Sequence, residues 1–188
     1  MTTKESILAL FEEQKGTYFS GEEIATRLSV SRAAVWKAVK SLRKEGYVID
    51  AVQNKGYCLS TETDILSVQG IQKYLDSEYR DLDICVLAEV ESTNTAVRER
   101  AEAGISEGCV IIANSQLNGK GRLQRNFYSP ADTGIYMSLL LRPEGITPGQ
   151  ATKITTMAAV AVCEAVEGVS GKEAWIKWVN DIYLEQKR

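Results

Sequence analysis

A chain of 188 residues that is 44% hydrophobic and 25% charged, with a net charge of −3, has room for one or two packed domains and the composition of an ordinary soluble protein. It contains no histidine, which excludes histidine-based triads and the common histidine-containing zinc sites. No run reaches the roughly 18 apolar residues of a membrane span, and the polar start Met1 to Ser6 is not expected to act as a signal peptide. Cys58, Cys85, Cys109 and Cys163 are far apart and show no paired metal spacing, so they are expected to be reduced core thiols in a cytoplasmic protein. The charge is uneven: residues 1–60 carry nine lysines and arginines against seven acids, and residues 61–188 carry thirteen against eighteen. A basic head on an acidic body suggests two domains with different partners, divided at 60/61.

In chain order, Thr2 or Thr3 is expected to cap a first helix with the buried stripe Ile7, Leu8, Leu10 and Phe11, ended by Gly16. Ser20 and Glu23 form a capping-box pattern for a second helix with Ile24, Ala25 and Leu28 inward. Ser31 caps a third helix running to about Glu45. In this helix Val35, Ala38, Val39 and Leu42 form the core stripe, and Arg32, Ala33, Trp36, Lys37, Lys40 and Arg43 lie elsewhere. Two strand-like runs, Tyr47 to Ile49 and Tyr57 to Leu59, flank the turn sequence Asn54-Lys55-Gly56. A helix-turn-helix followed by a hairpin is a winged helix, a DNA-binding arrangement whose third helix enters the major groove. The alternative for such a charged face is simple solvation. The candidate DNA-contacting residues are Ser31, Arg32, Ala33, Trp36, Lys37 and Lys40 on the helix and Asn54 and Lys55 on the wing.

After a polar joint at Thr61 to Thr63, a helix is expected from Asp64 to about Leu75, with Ile65, Leu66, Val68, Ile71 and Leu75 inward. A strand Ile84 to Val90, a helix Ser92 to Ala103, and strands Cys109 to Ala113 and Ile135 to Leu141 follow. Pro143 to Pro148 reads as a turn, and Gln150 to Glu167 as a long helix, apolar enough to be buried. Trp175 to Leu184 reads as two strands bent at Val179-Asn180. Irregular mixing of helix and strand favours an α+β fold over a doubly wound sheet.

Chemistry concentrates between two of these strands, in Gln116-Leu-Asn-Gly-Lys-Gly-Arg-Leu-Gln-Arg-Asn-Phe-Tyr-Ser-Pro130. Gly119 and Gly121 allow close backbone approach, and Lys120, Arg122 and Arg125 favour a phosphate or carboxylate. On composition alone, a solvated basic loop is an equal reading. No Ser or Thr follows Lys120 as a P-loop requires, and the third glycine of a dinucleotide fingerprint is absent. Two further stretches stand out: Glu91-Ser-Thr-Asn94, and Trp175-Ile-Lys-Trp-Val-Asn-Asp181 with Lys177 between apolar neighbours that argue for its partial burial.

Together the three stretches resemble the biotin protein ligases, following in order their Q-x-x-G-R-G-R-x-x-R-x-W-x-S-P and K-W-P-N-D patterns. Residues 17–59 resemble the DNA-binding head of the repressor class of these ligases, including Ser-Arg-Ala-Ala and the Gly-Tyr closing the wing. The resemblance implies a winged helix-turn-helix at 1–60, followed at 61–188 by the first part of a ligase domain of the class II aminoacyl-tRNA-synthetase-like type. It implies an enzyme that forms biotinyl-5′-AMP from biotin and ATP and passes biotin to a lysine of a carboxyl carrier protein. It also implies operator DNA as a partner, a ligand-promoted homodimer, Mg2+ arriving with ATP, no dedicated metal site and no membrane association. By position, Ser92, Thr93, Asn94 and Gln116 match the biotin-binding positions. Gly119, Lys120, Gly121, Arg122 and Arg125 match the loop that closes over carboxylate and phosphate. Lys177, with Arg122, matches the charge that acts during adenylation.

Four positions depart from the pattern: Lys120 for Arg, Gln124 for a frequent Gly, Phe127 for Trp and Val179 for Pro. Members of the family continue past the position of Arg188 with a strand pair and a small β-barrel, so the 188 residues alone are expected to turn over little or no substrate. The alternative reading is a regulator that senses biotin or its adenylate without ligating it; a lipoate ligase-like enzyme stands third. Without ligand, Leu117 to Asn126 is expected to be mobile, because it has little to bury and ordering a residue costs about 1–2 kcal/mol.

Overall fold

The computed structural model describes residues 1–121 and 125–184, and by internal contacts the chain forms two units, Met1–Leu141 and Arg142–Arg188. The first unit opens with α1 (Thr3–Glu13), α2 (Gly21–Arg27) and α3 (Arg32–Lys44), then the antiparallel pair β1 (Ile49–Val52) and β2 (Gly56–Leu59). The stripes read from the sequence make one core in which Ile7, Phe11, Ile24, Val35, Leu42 and Leu59 are wholly enclosed. The complete capping box is at α1, where Thr2 Oγ1 accepts from the Glu5 amide and Glu5 reaches back to the Thr2 amide. At α2 Ser20 caps the Glu23 amide at 3.0 Å, but the Glu23 carboxylate pairs with Arg27 one turn on, at 2.7 Å.

The wing is anchored by a residue outside the hairpin. Phe19 and Tyr57 exchange both backbone hydrogen bonds at 2.9 Å, adding the connection before α2 as a third rung beside β2. Gly56 makes this possible: its φ is +101°, and a Cβ there would lie 2.1 Å from the Phe19 carbonyl oxygen.

The joint and the next helix differ from expectation. Only Val68–Gln72 is helical (α4), with Ser67 as its cap accepting from Gly70 N at 2.9 Å, and none of the apolar residues from Ile65 to Leu75 is fully buried. The cap itself is the reason: Ser67 ends the irregular joint where its side chain can satisfy the first turn. α4 packs on α1 around the Glu12 carboxylate, which is only 3% exposed. Glu12 Oε2 lies 3.0 Å from Lys73 Nζ and 3.2 Å from Lys15 Nζ, and Lys15 also donates to the Thr63 carbonyl at 2.8 Å. Head, joint and α4 are thus tied by one buried carboxylate.

A three-stranded sheet follows, in the order β3 (Ile84–Leu87), β4 (Val110–Ala113), β5 (Tyr136–Leu139). β3 runs parallel to β4 across α5 (Thr93–Glu102), and β5 is antiparallel to β4. β4 is central and all four of its residues are buried, as a continuous apolar run requires. β5 alternates, with Tyr136 and Ser138 buried and Met137 and Leu139 exposed. α5 packs on β4 and β5 through Val97, Cys109 and Ile111.

In the second unit α6 (Ala151–Ser170) packs on the antiparallel ribbon of β6 (Ala174–Lys177) and β7 (Asp181–Leu184). The sequence led us to expect a buried α6. Instead only Ala159 and Cys163 are buried, and Met157, Val160, Val162 and Val169 are exposed, because a two-stranded ribbon covers a single stripe of a helix apolar on several sides.

Candidate functional site

α5 begins where the chain leaving β3 reaches Ser92, its N-cap residue. The Ser92 side chain makes no cap hydrogen bond. The acceptor comes instead from Gln116, whose Oε1 takes the Thr93 amide at 2.9 Å and the Thr93 hydroxyl at 3.2 Å. A side chain beyond β4 therefore satisfies an orphan donor of the first helical turn, where a partial positive charge favours an oxygen.

That contact belongs to a longer chain of hydrogen bonds. Gln116 Nε2 donates to Ser129 Oγ at 3.0 Å, and Ser129 Oγ donates to the Phe127 carbonyl at 3.1 Å. On the other side Ser138 Oγ lies 2.9 Å from both Thr93 Oγ1 and Asn94 Oδ1. Ser92, Thr93, Ser129 and Ser138 are all buried, so four hydroxyl residues and an amide line a polar patch within the apolar sheet layer. Ser129 and Ser138 were missed in the sequence. Ser138 could have been found from strand alternation, as a polar residue on the inner face of an otherwise apolar strand. Ser129 stood within the Ser-Pro end of the family pattern.

The basic loop leaves this patch and returns to it. Leu117 and Asn118 donate backbone hydrogen bonds to Val90 and Glu91. Phe127 N donates to Gly119 O at 2.9 Å, Gly121 N to Arg125 O at 2.8 Å, and Lys120 Nζ to Asn126 Oδ1 at 3.0 Å. These contacts ladder the base of the loop within residues 117–121 and 125–127. Arg122, assigned to the ligand and to adenylation, lies outside the described residues, as do Leu123 and Gln124. Gly119 has a different reason from the one expected: a Cβ there would come within 2.8 Å of Phe127 O and Ser129 Oγ and 3.1 Å of Gln116 Nε2. Its hydrogen atom makes room for the polar chain. Gly121 has only ordinary contacts at 3.6 Å and beyond, and Lys120 and Arg125 are exposed.

Lys177 lies in the second unit, at the end of β6 and in register with Asp181. It is exposed, contrary to the partial burial inferred from its neighbours, because Ile176 and Trp178 are themselves exposed on the narrow ribbon. Its Nζ sits 6.0 Å from the Tyr183 ring centroid, and a cis peptide joins Trp178 to Val179. Among the described residues no cluster of three or more carboxylate or thiol groups is placed to hold a metal ion.

In the head, Arg32, Ala33, Trp36, Lys37 and Lys40 are exposed on the outer face of α3, with Trp36 57% exposed and Lys40 Nζ 4.9 Å from its ring centroid. Ser31 Oγ accepts from Ala34 N at 3.2 Å as the helix cap. Arg32, Ala33 and Trp36 share an open cleft with the wing residues Gln53 and Asn54, so four of the candidates line one groove. Lys55 reaches over Tyr18 at 5.7 Å. Arg43 is withdrawn from this face, donating to the Ile49 carbonyl and holding α3 to the first wing strand.

Among known proteins, residues 3–58 match the family described as HTH domain, and residues 86–188 match the biotin/lipoate A/B protein ligase family. Over all 188 residues the chain is 37% identical to the bifunctional ligase/repressor BirA of Bacillus spizizenii and 36% identical to that of Bacillus subtilis. In each case it covers 57% of the relative, so it spans little more than half the length of these proteins. A solved structure of biotin protein ligase from Aquifex aeolicus in complex with biotin and ATP aligns at 31% identity with a TM-score of 0.48, over 54% of this chain and 41% of that one. No helix among the described residues is long and apolar enough to cross a membrane.

Proposed function

We propose that this chain, a member of the biotin/lipoate A/B protein ligase family, serves in a bifunctional protein that ligates biotin and represses transcription in the cytoplasm. Residues 1–60 are the DNA-binding head and residues 61–188 belong to the ligase domain. The observation that carries the ligase reading is the hydrogen-bond chain that runs from buried Ser129 through half-buried Gln116 to buried Thr93 and Ser138 and out to exposed Asn94, at the base of a loop bearing cations. A cyclic urea such as that of biotin needs small fixed donors and acceptors, and Ser92, Thr93, Asn94 and Gln116 supply them.

In the proposed reaction a biotin carboxylate oxygen attacks the α-phosphorus of ATP, pyrophosphate leaves, and biotinyl-5′-AMP results. The carrier protein's lysine amine then attacks the acyl carbon, releasing AMP. Bringing carboxylate and phosphate together concentrates negative charge, which Lys120, Arg122, Arg125 and Lys177 are assigned to offset. Mg2+ is assigned to arrive with ATP, held largely by the phosphates and water with Asn180 or Asp181 assisting. Biotin-dependent exchange of labelled pyrophosphate into ATP by the full protein tests the reading. Lys120 spends one N–H on Asn126, and an Arg there would retain a planar fork for phosphate. That contact favours, as the second reading, a regulator that binds biotin without activating it. Biotin binding with no exchange would establish the second reading.

For the head we propose operator DNA as the partner, bound by a ligand-promoted homodimer. Affinity falls with salt at a log–log slope of about −0.9 per phosphate neutralised, and Lys37→Ala lowers that slope by about one unit if Lys37 meets phosphate. If Lys37 meets a base, specificity relaxes at one position by about 1–3 kcal/mol. Filter binding across a salt series separates these outcomes, and salt-independent binding would overturn the assignment.

A further inference from the structure

Ser129 is four residues outside the stretch where the cations lie and carries no charge, yet it is only 4% exposed and joined to Gln116 twice. The Gln116 amide donates to the Ser129 carbonyl at 3.0 Å, and the Gln116 side-chain nitrogen donates to the Ser129 hydroxyl at the same distance. A serine hydroxyl has one proton. Here that proton goes to the Phe127 carbonyl, a group that only accepts, at 3.1 Å. The hydroxyl therefore turns lone pairs, not a proton, toward Gln116. Only the nitrogen end of the Gln116 amide satisfies it, and the oxygen end is left facing the Thr93 amide and hydroxyl. An amide rotated by half a turn would set oxygen against oxygen at Ser129 and nitrogen against a backbone N–H at Thr93.

We propose that Ser129 is a positioning residue that fixes the donor–acceptor sense of Gln116 and thereby the polarity the site presents to its ligand. On the biotin reading above, on which this rests, the polarity has a purpose. A cyclic urea carries N–H donors beside a single carbonyl, so a side chain whose two ends could exchange would offer a donor where an acceptor is needed. Gly119 belongs to the same device, since a methyl group in place of its hydrogen would press on Ser129 Oγ, Phe127 O and Gln116 Nε2 together.

The test is a thermodynamic cycle on biotin affinity, measured by calorimetry on the full protein. Ser129→Ala is expected to weaken biotin about tenfold, the loss of one buried hydrogen bond. Ser129→Thr, which keeps the hydroxyl, is expected to restore affinity to within about threefold of the unaltered protein. The decisive arm places Ser129→Ala in a Gln116→Ala background. With no amide left to orient, the change is expected to cost less than about twofold, because residues acting through one another are not additive. An equal loss in both backgrounds would show that Ser129 acts on the fold or on the ligand independently, and unchanged affinity in Ser129→Ala would show that Gln116 holds its orientation unaided. Either overturns the proposal. If Ser129→Ala does not fold, Ser129→Cys, which keeps the volume with a weak hydrogen-bonding group, carries the same comparison. No biotin binding by the unaltered protein would remove the ligand reading, and the proposal with it, and is told apart from the other failures by that control.

Discussion

Lys73→Met is expected to lower the unfolding free energy of the head-containing unit by about 3 kcal/mol, read from urea denaturation followed by Trp36 fluorescence. Glu12 is nearly inaccessible, and its partners are Lys73 at 3.0 Å and Lys15 at 3.2 Å. Removing one partner of a buried pair typically costs about 3–5 kcal/mol, because the remaining charge is left in a poor dielectric. The lower end applies here, since Lys15 stays. Lys73→Met combined with Glu12→Leu is expected to recover at least half of the loss, as replacement of a whole buried pair by apolar groups often does. A loss below about 1 kcal/mol in the single variant would mean that water screens the pair.

The pH dependence of the same contact has a definite sign. Burial by itself would lower the Lys73 pKa, but the hydrogen bonds and charges of Glu12 and Tyr74 together outweigh it and the net direction is up. A group raised in the folded state contributes stability that is complete below its unfolded value of about 10.4 and is lost as pH climbs through the folded value. Lys73→Met is therefore expected to abolish this part of the alkaline leg of the stability curve. The part due to Tyr47, raised mainly by burial, remains and begins at about pH 10. The Cys58 and Cys109 thiols, also raised mainly by burial, contribute from about pH 8.5 in both proteins.

Lys177→Ala in the full protein is expected to slow formation of biotinyl-AMP by about 10²-fold or more, the order found when one preorganised charge or donor is removed. Binding of preformed biotinyl-AMP is expected to fall much less, because the charge on carboxylate and phosphate is greatest while bonds are changing. Single-turnover adenylation and equilibrium binding of the product measure the two quantities. Equal losses would reduce Lys177 to a binding residue. The exposed side chain and the 6.0 Å approach to Tyr183 leave the ammonium free of a buried environment that would hide it from a substrate.

The head was legible almost entirely. Its helices are short, capped and amphipathic, so Ile7, Phe11, Val35 and Leu42 announce the core by spacing alone. β4 was legible for a related reason: a central strand must be apolar on both faces, and Val110 to Ala113 is. The site was legible only in part. The Gln116–Thr93 contact joins residues 23 apart with no periodicity between them, and it displaces the local cap that Ser92 promises. Ile135 to Leu141 was legible as a strand, but not which of its faces is inner, and Ser138 lies on the buried face of β5. α4 was drawn too long because Ile65, Leu66 and Val68 keep helical spacing, while Ser67 among them is the cap. The burial expected for α6 and Lys177 failed together. Apolar sequence states what a helix or strand is able to bury, and the area available on a two-stranded ribbon decides what it does bury.

The rung between Phe19 and Tyr57 gives the head a fixed calibre. With both hydrogen bonds made there, Gly56 leaving no slack beside the Phe19 carbonyl, and Arg43 holding β1 to α3, the wing cannot swing without breaking backbone pairing. Two points of contact held at a set span act as a gauge. A duplex whose local groove width or bend departs from that span must itself deform to touch both, and the energy of that deformation depends on its sequence. On the proposed partner, such a head would discriminate by shape even at base pairs that none of its side chains reaches.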